Sequence, residues 1–153
     1  MTRAALFVAE MTPSDHEGVA DLLIEMQAHY GGASPPRASV AAALAALPAG
    51  ARALVASRDG RVAGFAFFGG QFPGPGLRAG LFLKELYVAA CNRGAGVGSA
   101  LMNALLALAA RENYARLDFT AAQDDPALMA FYARFGAERL TDRSFFRLTL
   151  TPP

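Results

Sequence analysis

One short stretch constrains this chain more than any other: Arg93-Gly94-Ala95-Gly96-Val97-Gly98-Ser99, in which three glycines stand two apart. The apolar and aromatic run Leu81 to Ala89 reads as a strand that feeds it. A helical pattern follows from about Gly96 to Arg111, with Val97, Ala100, Leu101, Ala104, Leu105 and Leu108 on one face. Glycines let the backbone take unusual angles and approach a ligand closely. The first N–H groups of a helix lack intrahelical partners, and the helix dipole is positive at that end. A phosphate fits there, and Arg93 can add a charge-assisted contact. Two familiar phosphate motifs do not match. Val97-Gly98-Ser99 lacks the lysine of a P-loop, and Ser99 stands where a dinucleotide fingerprint needs its last glycine. Taken alone, the turn serves either a phosphate-bearing ligand or close helix–sheet packing.

The rest of the chain surrounds this turn with a regular order. Leu6 to Ala9 reads as a first strand, and Thr12-Pro13-Ser14-Asp15 as a helix start. Val19, Leu22, Leu23 and Met26 carry the helical period until Gly31-Gly32. An alanine-rich helix is predicted from about Ser39 to Leu47. Arg52 to Ser57 and Val62 to Phe68 read as a hairpin closed by Arg58-Asp59-Gly60-Arg61. Phe72 to Gly76 is a loop by composition, Arg116 to Ala121 a strand, and Pro126 to Phe135 a short helix stopped by Gly136. Glu138 to Leu150 can supply one or two final strands. The order βααβββαβαβ predicts an α/β (α+β) fold: a mixed, mostly antiparallel sheet of six to seven strands with about four helices on both faces. No linker divides residues 1–153, so a single domain is expected.

Charge and cysteine usage exclude several classes. A formal net charge of +1 with scattered Lys and Arg argues against nucleic acid and against an acidic membrane surface. No apolar run approaches the roughly 20 residues that span a bilayer. Cys91 is the only cysteine, which suits a reducing compartment, and a cytoplasmic location is expected. Cys91 has no histidine nearby in sequence and reads as inert. His16 and His29 lack metal-ligand spacing, so no metal is predicted.

With these features in place, the chain resembles the GNAT superfamily of N-acetyltransferases. The Arg-x-x-Gly-x-Gly signature is met by Arg93, Gly96 and Gly98, and Leu83-Lys84-Glu85-Leu86-Tyr87-Val88 is similar to the central strand of that family. A second block, Asp124-Asp125-Pro126-Ala127-Leu128-Met129-Ala130-Phe131-Tyr132 followed by Phe135-Gly136-Ala137, matches independently. Within the superfamily the likeness is closest to the diamine and polyamine branch, through these blocks and the late Phe145-Phe146-Arg147.

The resemblance implies acetyl transfer from acetyl-CoA (coenzyme A) to a primary amine of a small molecule: a diamine, a polyamine or an amino-acid-like amine. It places the pantetheine arm along Leu86, Tyr87 and Val88, and the pyrophosphate on Arg93, Gly94, Ala95, Gly96, Val97, Gly98 and Ser99. Asp124 and Ala127 would meet the cofactor arm, with Asp124 where the family has asparagine. Tyr132 is the implied acid for the leaving thiolate. In the polyamine branch a central-strand glutamate helps deprotonate the amine, but here Lys84 holds that position. Glu85 is next door, and strand alternation points it to the opposite face. Either a bulge re-aims Glu85, or a carboxylate such as Glu25 (with His29 one helical turn on) serves, or water carries the proton. The resemblance also makes a homodimer an expectation. Lys84 keeps open a non-catalytic acyl-CoA-binding module on the same fold, and acetylation of a protein lysine or N-terminus is a third reading.

Overall fold

The computed structural model describes residues 5–152, which fall into two compact units dividing between Thr120 and Ala121. The first unit carries the sheet. Its strands are β1 (Leu6–Glu10), β2 (Ala51–Arg58), β3 (Arg61–Gln71), β4 (Gly80–Val88) and β5 (Leu117–Phe119), neighbours in that order. The first three pairings are antiparallel and β4–β5 is parallel. Three helices join them: α1 (His16–His29), α2 (Arg37–Ala45) and α3 (Val97–Arg111).

Local chemistry explains most of these boundaries. The Asp15 carboxylate accepts from the Thr12 N–H at 2.8 Å and closes the turn that opens α1. α2 begins two residues earlier than the alanine run suggests: Pro36 is the residue before the helix, and its carbonyl accepts from the Ser39 and Val40 N–H groups at 2.9 and 3.2 Å.

Period-two alternation separates the two faces of the sheet. Phe65 joins Val55 and Tyr87 under Val19, Leu22 and Leu44 of the first two helices. Gly64, one residue earlier, faces α3, and a Cβ there would stand 2.9 Å from both the Tyr87 carbonyl and the Val97 side chain. Helix and sheet approach this closely only because the position has no side chain. α3 buries Val97, Leu101, Leu105 and Leu108 against β2, β3 and β4. Each such side chain contributes about 2 kcal/mol of apolar burial.

The second unit contains α4 (Pro126–Ala133). Its start is capped by Asp125, whose Oδ1 accepts from the Leu128 N–H at 3.0 Å. Glu138 to Leu150 corrects the sequence reading: these residues form no strand, so the described residues hold five strands rather than six to seven. Phe146, Leu148 and Leu150 do alternate, but alternation makes a strand only where a neighbour supplies ladder bonds. Here the three side chains are exposed. No described helix is long and apolar enough to cross a membrane.

Candidate functional site

The end of β4 and the start of α3 form one continuous frame. After Val88 the chain makes a short 3-10 turn over Ala90–Asn92, passes Arg93, and enters α3 through Gly94 and Gly96. Gly96 is the residue before the helix, with φ of 83°, a left-handed conformation that L side chains rarely adopt. It leaves the amides of Val97, Gly98 and Ser99 at the positive end of a 15-residue helix. Arg58, at the end of β2, holds the turn from the sheet side: its Nη2 donates to the Ala95 carbonyl at 3.0 Å. Its Nε is buried with no partner among the described residues, so what this guanidinium offers the turn is its charge and the Nη2 contact. Free helix-start amides with a guanidinium charge alongside are chemistry that fits a pyrophosphate.

β4 parts from its neighbour on the way to this turn. Among the described residues it pairs with β5 only over Leu81–Leu83, so Lys84 to Val88 have no strand on that side. The Ala89 N–H donates to the Ala63 carbonyl at 2.9 Å, so that residue faces β3. Val88 faces the other way, and its carbonyl accepts from Arg93 Nε at 3.3 Å. Leu86 follows Val88 by the alternation of the ladder. Of the three residues expected to meet a pantetheine arm, Leu86 and Val88 therefore turn their backbone groups toward the unpaired edge, and Tyr87 between them turns its own toward β3.

The register of β3 and β4 slips in the same place. Phe67 stands opposite Glu85, and Phe68 opposite Leu83, which leaves Lys84 as the extra residue of a β-bulge. The expectation that alternation sends Glu85 to the face opposite Lys84 is thereby corrected. The bulge resets the alternation, and Glu85 shares a face with Phe67 and a cleft with Lys84. Lys84 Nζ lies 3.7 Å from Glu85 Oε1. The cleft, of about 580 Å³, is walled by Leu23, Val40, Leu44, Phe67 and Phe82. Arg52 borders it, with its guanidinium on the α3 side of the sheet, engaged by Glu112 at 2.6 Å and by Glu10.

Glu25 and Tyr87 are joined, a link that the sequence does not show. The buried Tyr87 hydroxyl donates to Glu25 Oε2 at 2.8 Å and accepts from Arg93 Nη2 at 2.9 Å. Glu25 Oε2 also accepts from the Ala90 N–H at 3.2 Å, and the His29 ring lies 6.1 Å from the Tyr87 ring. Burial, then the Glu25 carboxylate, raises the Tyr87 hydroxyl above its ordinary value, so at neutral pH it keeps the proton it donates. Glu25 is therefore occupied in tying α1 to the β4–α3 junction. Arg93 is likewise turned inward to Tyr87 and Val88. Tyr87→Phe removes the shared hydroxyl and is expected to cost about 1 kcal/mol. Urea unfolding checks this: an unchanged midpoint would mean the three-residue link adds nothing.

Asp124, Ala127 and Tyr132 belong to the second unit: Asp124 and Ala127 lie at the start of α4, and Tyr132 in its last turn. The Tyr132 ring is half-buried and meets Phe131 edge to face at 5.0 Å. Cys91 is exposed, and no group of acidic, His or Cys side chains among the described residues could hold a metal ion. Arg58 went unnoticed in the sequence, because it lies 37 residues from its partner and reads there only as a turn flank.

Comparison with known proteins agrees with this layout. The family model described as Acetyltransferase (GNAT) family matches residues 19–137. No curated protein matches the sequence. An integron cassette protein from the mobile metagenome of V. cholerae is similar at 26% identity and a TM-score of 0.86, over 96% of this chain and 94% of that one. A ribosomal-protein-alanine N-acetyltransferase from Brucella melitensis biovar Abortus 2308 is similar in fold, with 23% identity, a TM-score of 0.77, and coverage of 95% and 99%. An aminoglycoside acetyltransferase from an uncultured soil metagenomic sample, solved with sisomicin, shares the fold at 14% identity and a TM-score of 0.75, over 94% and 97% of the two chains.

Proposed function

Since this chain belongs to the acetyltransferase (GNAT) family, we propose that it transfers an acetyl group from acetyl-CoA to the primary amine of a small molecule. The observation that carries this reading is the bulge at Lys84. It brings a carboxylate to an apolar cleft at the point where β4 and β5 part, on the strand that runs into the phosphate-type turn.

Acetyl-CoA, when bound, supplies the acetyl group as a thioester. The amides of Val97, Gly98 and Ser99 would hold its pyrophosphate, and the unpaired edge at Leu86 and Val88 would take the pantetheine amides as a neighbouring strand would. An amine attacks only when neutral, so a proton must leave the ammonium form. Glu85 accepts it, directly or through a water, because its side chain is half-exposed at the cleft. Glu25 is the weaker choice of base, since its Oε2 already takes two donors. Tyr132 holds the proton for the departing thiolate. The likeness to the diamine and polyamine branch bears on the acceptor and on the base, whose expected position Lys84 holds; in this reading Glu85 takes the proton instead.

The test is calorimetric binding of acetyl-CoA, followed by release of the CoA thiol across a panel of amines. Micromolar binding and turnover on at least one amine are expected. Binding without turnover on any amine would favour a non-catalytic acyl-CoA module. No binding would defeat both readings.

A further inference from the structure

The acceptor cleft holds an unusual charge pattern for an enzyme of cationic amines. Its walls are mostly Leu, Val, Ala and Phe side chains, with three glycines and Gln71 among them. Its charged side chains are Lys84 and Glu85; Arg52 lines it as well, but its guanidinium is held by Glu10 and Glu112 on the α3 side of the sheet. What remains is one cation beside one anion, Lys84 and Glu85, at 3.7 Å. A polycation would find a single carboxylate, already paired, and would be repelled by the adjacent ammonium.

Resting on the acetyltransferase reading above, we propose that the acceptor is an α-amino acid with an apolar side chain, recognised as a zwitterion by exchange of this ion pair. An α-amino acid carries its ammonium and carboxylate one carbon apart, which matches two opposite charges on consecutive residues of a strand. The substrate carboxylate takes the place of Glu85 as partner of Lys84, and Glu85 is released to face the substrate ammonium. One proton then passes from that ammonium to Glu85, leaving the lone pair on nitrogen that the attack requires. The apolar side chain enters the cleft between Leu23, Val40, Phe67 and Phe82. The bulge is essential to this pattern. In a regular strand Lys84 and Glu85 would point to opposite faces and could not bracket one molecule.

Steady-state kinetics decide the matter. L-leucine, L-methionine and L-phenylalanine are compared with their methyl esters and with spermidine, following CoA thiol release. The amino acids are expected to exceed their esters in kcat/KM by about tenfold or more, the worth of one charge-assisted contact. Lys84→Gln should bring that ratio close to one, chiefly through KM, and Lys84→Arg should keep it. Lys84 is exposed, so neither variant threatens the fold, and an unchanged thermal midpoint verifies that. Equal or better turnover on the esters or on spermidine overturns the zwitterion proposal and leaves acetyl transfer standing. A ratio unmoved by Lys84→Gln also overturns it. Loss of acetyl-CoA binding itself, seen by calorimetry, would remove the underlying function as well.

Discussion

Tyr132→Phe is expected to lower turnover about a hundredfold while leaving acetyl-CoA affinity within about twofold. The phenylalanine ring keeps the packing against Phe131 and takes away only the hydroxyl. A thiolate leaving group needs a proton, and a phenol is an acid weak enough to keep its own until the thiolate forms. Loss of a positioned acid therefore belongs in kcat, because the contact matters in the transition state and little in the ground state. Turnover and equilibrium binding should be measured on the same preparation. A variant as fast as the parent would strip Tyr132 of its proton. A variant with equally reduced affinity would make it a packing residue of the cofactor site.

Gly96→Val should act on the other side of the reaction, weakening acetyl-CoA binding by about tenfold to a hundredfold. The residue sits at φ 83°, where an L side chain costs about 1–2 kcal/mol and a β-branched one more. The chain can relieve that strain only by rotating the peptides that present the helix-start amides. A tenfold loss in affinity corresponds to about 1.4 kcal/mol, so partial rotation is enough. Gly96→Ala should fall between valine and the parent. Calorimetry on protein shown to be folded measures the effect, and an affinity equal to the parent's would detach the turn from cofactor binding.

The sequence made the frame of the molecule legible, since that frame is written in local terms. The apolar and aromatic run ending at Ala89, the glycine turn and the 3.6-residue period of α3 each depend on neighbours in the chain. The same holds for the Asp125-capped start of α4. What escaped depends on distant partners. The bulge at Lys84 is set by how β4 registers against β3, and no residue type announces it. Glu25 looks like an ordinary charged helix residue until Tyr87, 62 residues later, is placed beside it. Glu138 to Leu150 failed for the opposite reason: its alternation is strand-like, but pairing is not a property of one segment. The cleft beside Glu85 draws on α1, α2, β3 and β4 together, so its apolar character could not be read from any single run.

The unpaired stretch of β4 has a further consequence for the protein as a solute. Five residues with strand conformation and no ladder partner on one side among the described residues are a template on which another chain could propagate a sheet. The stretch is short, it begins with a bulge that twists it, and it carries a lysine and a glutamate at that end. These are features that discourage self-assembly through β-pairing. The residues assigned here to choosing the acceptor thus also act as gatekeepers, and replacing both by apolar side chains would trade solubility as well as selectivity.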